Sequence, residues 1–183
     1  MLKLAYPYKE KLQKAYNKIV YEDFYKFYNN GQWWSHEFIL ANDSWKSLEF
    51  VSVDSNDEII GFLKADIERP EGYISGLGVM SFAMKSSYCF SKDMYQFLRD
   101  LFVKFNFYKI TFNVVIGNPV EKMYDKYVEK YGGKVVGYFK KHVMLQDGKL
   151  YDRKCYEIFK KDFAQIYYAS NFDHILETEV TKV

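Results

Sequence analysis

The sequence predicts one α/β domain, of the α+β kind, built on a mixed, mostly antiparallel, twisted sheet of about seven strands flanked by about four helices. Three observations carry that expectation. Between Ser47 and Phe82, period-two runs alternate with compact turn signals, the pattern of consecutive antiparallel strands. Met94, Phe97, Leu98, Leu101, Phe102 and Phe105 then recur at helical spacing, and Tyr108 to Val115 returns to alternation, so a helix is enclosed by two strands that should pair in parallel. A further helix and a hairpin close the pattern.

Taken in order, Leu2 to Tyr6 suits a short strand, and Leu12, Ala15, Tyr16, Ile19 and Val20 form a helical stripe. Glu22 to Tyr28 suits a second short helix, stopped by Asn29-Asn30-Gly31. Ser47 to Val53 and Glu58 to Glu68 flank the turn Asp54-Ser55-Asn56-Asp57, with Ile59, Leu63, Ala65 and Ile67 expected on one face. After Arg69-Pro70-Glu71-Gly72, the apolar run Tyr73 to Phe82 suits a central strand. Ser91 is the expected N-cap of the next helix. Asn118-Pro119-Val120-Glu121 reads as N-cap, N1 proline and capping-box partner, ahead of the stripe Val120, Met123, Tyr124, Tyr127, Val128, Tyr131 and the stop Gly132-Gly133. Lys134 to Leu145 and Leu150 to Phe159 flank the hairpin turn Gln146-Asp147-Gly148-Lys149, and residues 160–183 begin as a short helix and end in a polar tail.

Composition bounds the function. The 183 residues suit one domain, and 49% hydrophobic with 27% charged residues is a globular balance. A net charge of +2, from 26 basic and 24 acidic side chains, leaves no electrostatic footprint for nucleic acid, and most of the aromatic residues fall at core spacing. Cys89 and Cys155 lack metal or redox spacing, and His36, His142 and His174 are scattered, so neither a metal site nor a nucleophilic triad is expected. No apolar run is long enough for a signal peptide core or a membrane span, so the expectation is a cytoplasmic protein with no membrane partner.

Particular stretches carry a resemblance. Leu101 to Ile110 looks like the helix-to-strand junction of the GNAT superfamily of acyl-coenzyme A dependent N-acyltransferases, and Gly117-Asn118 through Gly137 resembles its next helix and turn. Val143 to Glu157, with Asp147-Gly148-Lys149 and Tyr156, looks like the closing hairpin of its RimJ/RimL-type branch. The order of elements is similar along residues 1–160, with 161–183 as an extension of the same domain.

The resemblance implies a cosubstrate, acetyl-coenzyme A, with its pantetheine arm between the strand ending near Phe82 and the strand ending near Val115. Free main-chain groups from Leu77 to Phe82 would bind its amides, which brings in Leu77, Val79, Met80 and Phe82. The family's glycine-rich phosphate loop is replaced by Lys85-Ser86-Ser87-Tyr88-Cys89-Phe90, which has no glycine and places Tyr88 and Phe90 where closeness is wanted. Phosphate contacts then fall to Lys85, Ser86, Ser87 and Lys92. Asn118 is a cosubstrate contact by resemblance and a helix cap by sequence, and the two roles are compatible.

For the departing thiolate the resemblance implies a tyrosine acid, with Tyr124 as candidate and Tyr127 as rival, although periodicity alone makes both core residues. Glu68, with Asp66 and Glu71 nearby, is the candidate base bordering the acceptor cleft, and Trp33 and Trp34 are candidates to line it. The implied activity is acetyl transfer to a primary amine, small-molecule or protein, by a monomer or homodimer without metal. The alternative is a non-catalytic binding protein with a degenerate cofactor loop.

Overall fold

The computed structural model describes residues 1–20, 22, 26–27, 37–41, 43–82 and 87–169. β1 (Leu2–Leu4) leads through a 3₁₀ turn, Tyr6–Tyr8, into α1 (Lys9–Ile19). β2 (Ser47–Val53), β3 (Ile59–Glu68) and β4 (Tyr73–Ser81) form the meander. They are followed by α2 (Tyr88–Val103), β5 (Lys109–Val115), α3 (Glu121–Lys130), β6 (Lys134–Met144) and β7 (Leu150–Phe159). Residues 160–169 are helical and form α4. Among the described residues the sheet has seven strands in the order β1-β2-β3-β4-β5-β7-β6. Each neighbouring pair is antiparallel except β4 and β5, which are joined by the α2 crossover, the connection a parallel pair requires. The mixed sheet that periodicity predicts is therefore the one that forms.

The sheet separates two apolar layers. Leu63, Ala65, Ile67, Ile74, Ile110 and Ile158 meet the buried stripes of α2 and α3, and Phe163 of α4 stacks on Phe102 at 4.7 Å. On the other face Val51, Val53, Phe62 and Met80 meet Leu12, Tyr16 and Ile19 of α1. Each large side chain withdrawn from water contributes roughly 1.5–3 kcal/mol, which is why the stripes, more than helix propensity, fix these elements.

Three expectations change. α2 starts earlier than a Ser91 cap allows: the N-cap is Ser87, whose Oγ accepts from the Phe90 N–H at 3.3 Å, and Ser91 lies inside the first turn with its Oγ donating to the Ser87 carbonyl at 3.1 Å. The cause is Phe90, four residues before Met94, which extends the buried stripe by one turn and packs its ring against Gly61. α3 starts at Glu121, because Pro119 and Val120 form a preceding turn. Its caps act on that turn: Asn118 Oδ1 accepts from the Val120 N–H at 3.0 Å, and Glu121 Oε2 accepts from the Gly117 N–H at 3.1 Å.

Ile59 does not share a face with Leu63, because the register passes from Ser52↔Gly61 to Val53↔Ile59 and leaves Ile60 as a bulge that reverses the alternation. The expected helix at Glu22 to Tyr28, together with Trp33, Trp34, His36 and the tail from Ser170, lies largely or wholly outside the described residues. Among those described, no helix is long and apolar enough to cross a membrane.

Candidate functional site

β4 and β5 share one Cα pair, Ile74↔Ile110, reinforced by Thr111 Oγ1 donating to the Ile74 carbonyl at 3.0 Å. Beyond it, no further ladder pair joins them among the described residues. β5 follows β7 instead, paired from Lys109↔Phe159 to Val115↔Arg153. β4 follows β3, with Asp66↔Gly76 succeeded by Ile67↔Ile74, so Ser75 is an extra residue. Such a bulge bends and twists its strand. The strands diverge and a cavity of about 330 Å³ opens between them.

The bulge also aims the main chain. Ile74, Leu77 and Val79 all contact the α2 and α3 layer despite the odd step from 74 to 77, whereas Met80 and Phe82 contact the α1 layer. In a pleated strand, side-chain face and main-chain direction alternate together. Leu77 and Val79 therefore turn their N–H and C=O toward the gap, as Ile74 does toward β5. Phe82, expected to offer its backbone there, does not: its N–H donates to the Ile60 carbonyl at 3.0 Å. Met80 lines the cavity through its side chain. Peptide groups at the gap need a partner, and β5 is out of reach.

The segment after β5 supplies one wall. Asn118, Val120 and Tyr124 line the cavity, and Tyr124 is 3% exposed with its ring edge-on to Phe112 at 4.9 Å. Tyr127, three residues on, points elsewhere. Its ring lies among Tyr95 and Tyr131, its hydroxyl is buried with no hydrogen-bond partner among the described residues, and burial pushes its phenol well above the ordinary value. The Tyr131 and Tyr95 hydroxyls share a hydrogen bond at 2.7 Å, and burial pushes the Tyr95 phenol up to about 12. The two rival tyrosines are thus separated, with Tyr124 at the cavity and Tyr127 in an aromatic cluster.

Glu68 is exposed at the end of β3, opposite Tyr73 and beyond the joined end of the strands, and does not line the cavity. Asp66 does, with its carboxylate 3.0 Å from Lys64 Nζ. Gly76 and Gly78 lie opposite this pair, where a Cβ would stand 3.2 Å from Asp66 Oδ2 and 3.2 Å from Lys64 Cβ. Asn113 and Arg153, delivered by the β5–β7 ladder, complete the α1 side. Lys64, Asn113 and Arg153 were not nominated by sequence. The available signal was the Lys64, Asp66 spacing along β3, whereas the β5–β7 register that sets Arg153 opposite Val115 has no local signal.

α2 begins just past the open end of β4, with Ser87 as cap. Of the residues expected at phosphate, Lys85 and Ser86 lie outside the described residues, and Lys92 is exposed in the helix. Tyr88, in the first turn of α2, is 83% exposed, and Phe90 is buried against Gly61. Among the described residues no group of three or more His, Cys, Asp or Glu side chains is arranged to hold a metal ion.

A seven-stranded sheet with one parallel pair opening into a cleft, flanked by helices on both faces, is the fold of the GNAT-type N-acetyltransferases. The chain is similar to the spermidine N-acetyltransferase of Vibrio cholerae in its complex with CoA and spermine, with a TM-score of 0.65 at 16% identity over 90% of this chain and 97% of that one. It is similar also to a GCN5-related N-acetyltransferase from Brucella melitensis, with a TM-score of 0.64 at 14% identity over 92% and 79%. A manganese complex of the Vibrio cholerae spermidine/spermine enzyme superposes with a TM-score of 0.56 at 18% identity, over 85% of this chain and 77% of that one. At these identities the likeness establishes the fold. No family model matches the chain and no curated protein does.

Proposed function

We propose that this chain is an acyl-coenzyme A dependent N-acyltransferase that moves acetyl from acetyl-CoA to a primary amine by direct attack in a ternary complex. The observation that carries this is the divergence of β4 from β5 beyond Ile74, with Leu77 and Val79 turning their peptide groups into the cavity. A pantetheine arm has the amide groups that an absent strand would supply, so it completes the ladder. Asn118 borders that slot. The capped start of α2 at Ser87 faces the phosphates as a helix N-terminus suits an anion, and the sequence assigns Lys85, Ser86 and Lys92 as their side-chain contacts. The Vibrio cholerae structure in complex with CoA and spermine, and the fold itself, support the same assignment.

Amine attack needs the neutral base, and an alkylamine of pKa roughly 10.4 is mostly protonated near neutrality. Asp66, in the cavity lining, is the carboxylate placed to take that proton, and Glu68 lies farther out. An N–H of Leu77 or Val79 stabilises the charge gained by the thioester oxygen, and the Tyr124 hydroxyl donates to the departing thiolate. The C–N bond forms as the C–S bond breaks, and the amine loses the proton that Asp66 or water receives. Residues 1–160 form the acyltransferase domain in this reading. The extension from 161 belongs to it, because Phe163 is buried in the same core.

One observation favours the alternative, a non-catalytic GNAT-like binding protein with a degenerate cofactor loop: Lys85-Ser86-Ser87-Tyr88-Cys89-Phe90 contains no glycine and so departs from the family pattern. A thermal melt with CoA and an acetylation assay separate the readings. CoA at a hundredfold excess over its Kd adds about 2.7 kcal/mol, a midpoint rise of roughly 5–11 °C. A rise with turnover supports the enzyme, a rise without turnover on any amine supports the binder, and no rise overturns both.

A further inference from the structure

Arg153 takes no part in the transfer chemistry, yet it lines the cavity. Its Nε is buried without a hydrogen-bond partner, and no ion pair joins its guanidinium to a carboxylate among the described residues. The other charges nearby are already matched. Lys64 pairs with Asp66 at 3.0 Å. On the opposite face of β7, Lys154 engages Asp125 at 2.6 Å and Glu121 at 3.5 Å, so the acids of α3 are turned away from Arg153. A partly desolvated guanidinium without a counter-charge is costly, and an incoming anion removes that cost through a planar, bidentate contact. Asn113, on the same side of the cleft, adds an amide donor.

We propose that the acceptor amine of this chain carries an anionic group, a carboxylate or a phosphate, which Arg153 and Asn113 receive on the α1 side of the cleft while the amine faces Asp66 across the gap. The inference rests on the N-acyltransfer reading above. Leu77, Val79 and the start of α2 hold the cosubstrate on the other side, so the phosphates of CoA are not the anion meant. A polycationic acceptor would leave Arg153 unmatched and bring like charge to it.

The test uses the full chain, acetyl-CoA and three amines of matched length: 4-aminobutyrate, 3-aminopropyl phosphate and 1,4-diaminobutane. The expected result is a kcat/KM for at least one anionic amine about tenfold or more above the diamine, and the better of the two identifies the anion. Arg153→Gln lowers that value roughly ten- to hundredfold through KM, leaves acetyl-CoA affinity unchanged, holds or raises the diamine rate by removing a like charge, and Arg153→Lys restores part of the anionic preference. A wild-type preference for the diamine, or an equal loss on all three amines in Arg153→Gln, overturns the proposal. Where the wild type turns over none of the three, melts of the CoA-loaded chain decide. A midpoint rise with an anionic amine, absent with the diamine and lost in Arg153→Gln, upholds the anion site while the catalytic reading falls. No such rise overturns the anion site itself.

Discussion

Ile74 and Ile110 form the one rung between β4 and β5 among the described residues, and Leu77 and Val79, whose main chain turns into the cleft, lie beyond it. The rung is held by the Thr111 hydroxyl on the Ile74 carbonyl at 3.0 Å, and the Ser75 bulge separates it from Leu77 and Val79. Amide hydrogen exchange therefore has a defined expected pattern. Leu77 and Val79 exchange fast in the free chain, whereas Phe82, whose N–H is bonded to Ile60, is slower. Saturating CoA slows Leu77 and Val79 by about tenfold or more, as a completed ladder requires. Strong protection of both amides before CoA is added would show that the gap is closed in solution.

Tyr124 and Tyr127 occupy different environments one helical turn apart, and phenylalanine substitutions read the difference. Tyr124→Phe keeps the ring against Phe112 and removes the hydroxyl proposed as the acid, so kcat falls roughly ten- to thousandfold with CoA affinity and Tm nearly unchanged. Tyr127→Phe removes a buried hydroxyl that has no partner among the described residues. It leaves kcat unchanged and raises stability by roughly 1–2 kcal/mol, about 2–8 °C in Tm. A large loss of turnover in Tyr127→Phe with none in Tyr124→Phe would reverse the assignment.

Local periodicity made most of the fold legible. The stripe from Met94 and the alternation of Tyr108 to Val115 identify α2 and β5, and their order alone gives the parallel pair. What periodicity could not show is register. The bulges at Ile60 and Ser75 exist because neighbouring strands pair out of step, and nothing in Tyr73 to Phe82 announces that Phe82 binds back to Ile60. The same holds for the site. Tyr124 and Asn118 sit in one continuous segment, so a single stretch of sequence nominates both. Lys64, Asn113 and Arg153 come from β3, β5 and β7, and only the assembled sheet brings them to one cavity.

Asp125 gives the acid limb of stability a specific source. Burial alone would raise its carboxyl, but hydrogen bonds from Lys154 Nζ at 2.6 Å and the Tyr156 hydroxyl at 2.7 Å outweigh it and hold the carboxyl below its usual range. A group with a depressed folded value stabilises the chain fully above its unfolded value, about 3.9, and that contribution is lost as pH falls through the folded one. The side chain is 43% exposed, so the effect is modest. Asp125→Asn lowers Tm at about pH 7, and its difference from wild type shrinks as melts are run down to about pH 3. A difference that stays constant over that range would locate the effect in packing.

Phe90 and Gly61 couple the start of α2 to the sheet. The Phe90 ring lies so close to Gly61 that an added Cβ would fall against its ring carbons, and Phe90 is also the residue whose N–H the Ser87 cap receives. Gly61→Ala must therefore displace the ring, and with it the first turn of α2, the end proposed to face the CoA phosphates. Overpacking of this kind costs about 1–3 kcal/mol, a fall of roughly 2–12 °C in Tm. CoA affinity should fall as well, which distinguishes this variant from Tyr124→Phe. Phe90→Leu alone loses apolar contact and costs about 1 kcal/mol or more. In the double variant the shorter side chain makes room for the new methyl, so the combined loss is smaller than the sum of the single losses. Urea titrations of the four proteins measure this directly: a coupling of about 1 kcal/mol is expected, and strictly additive losses would show that Phe90 does not rest on Gly61 in solution.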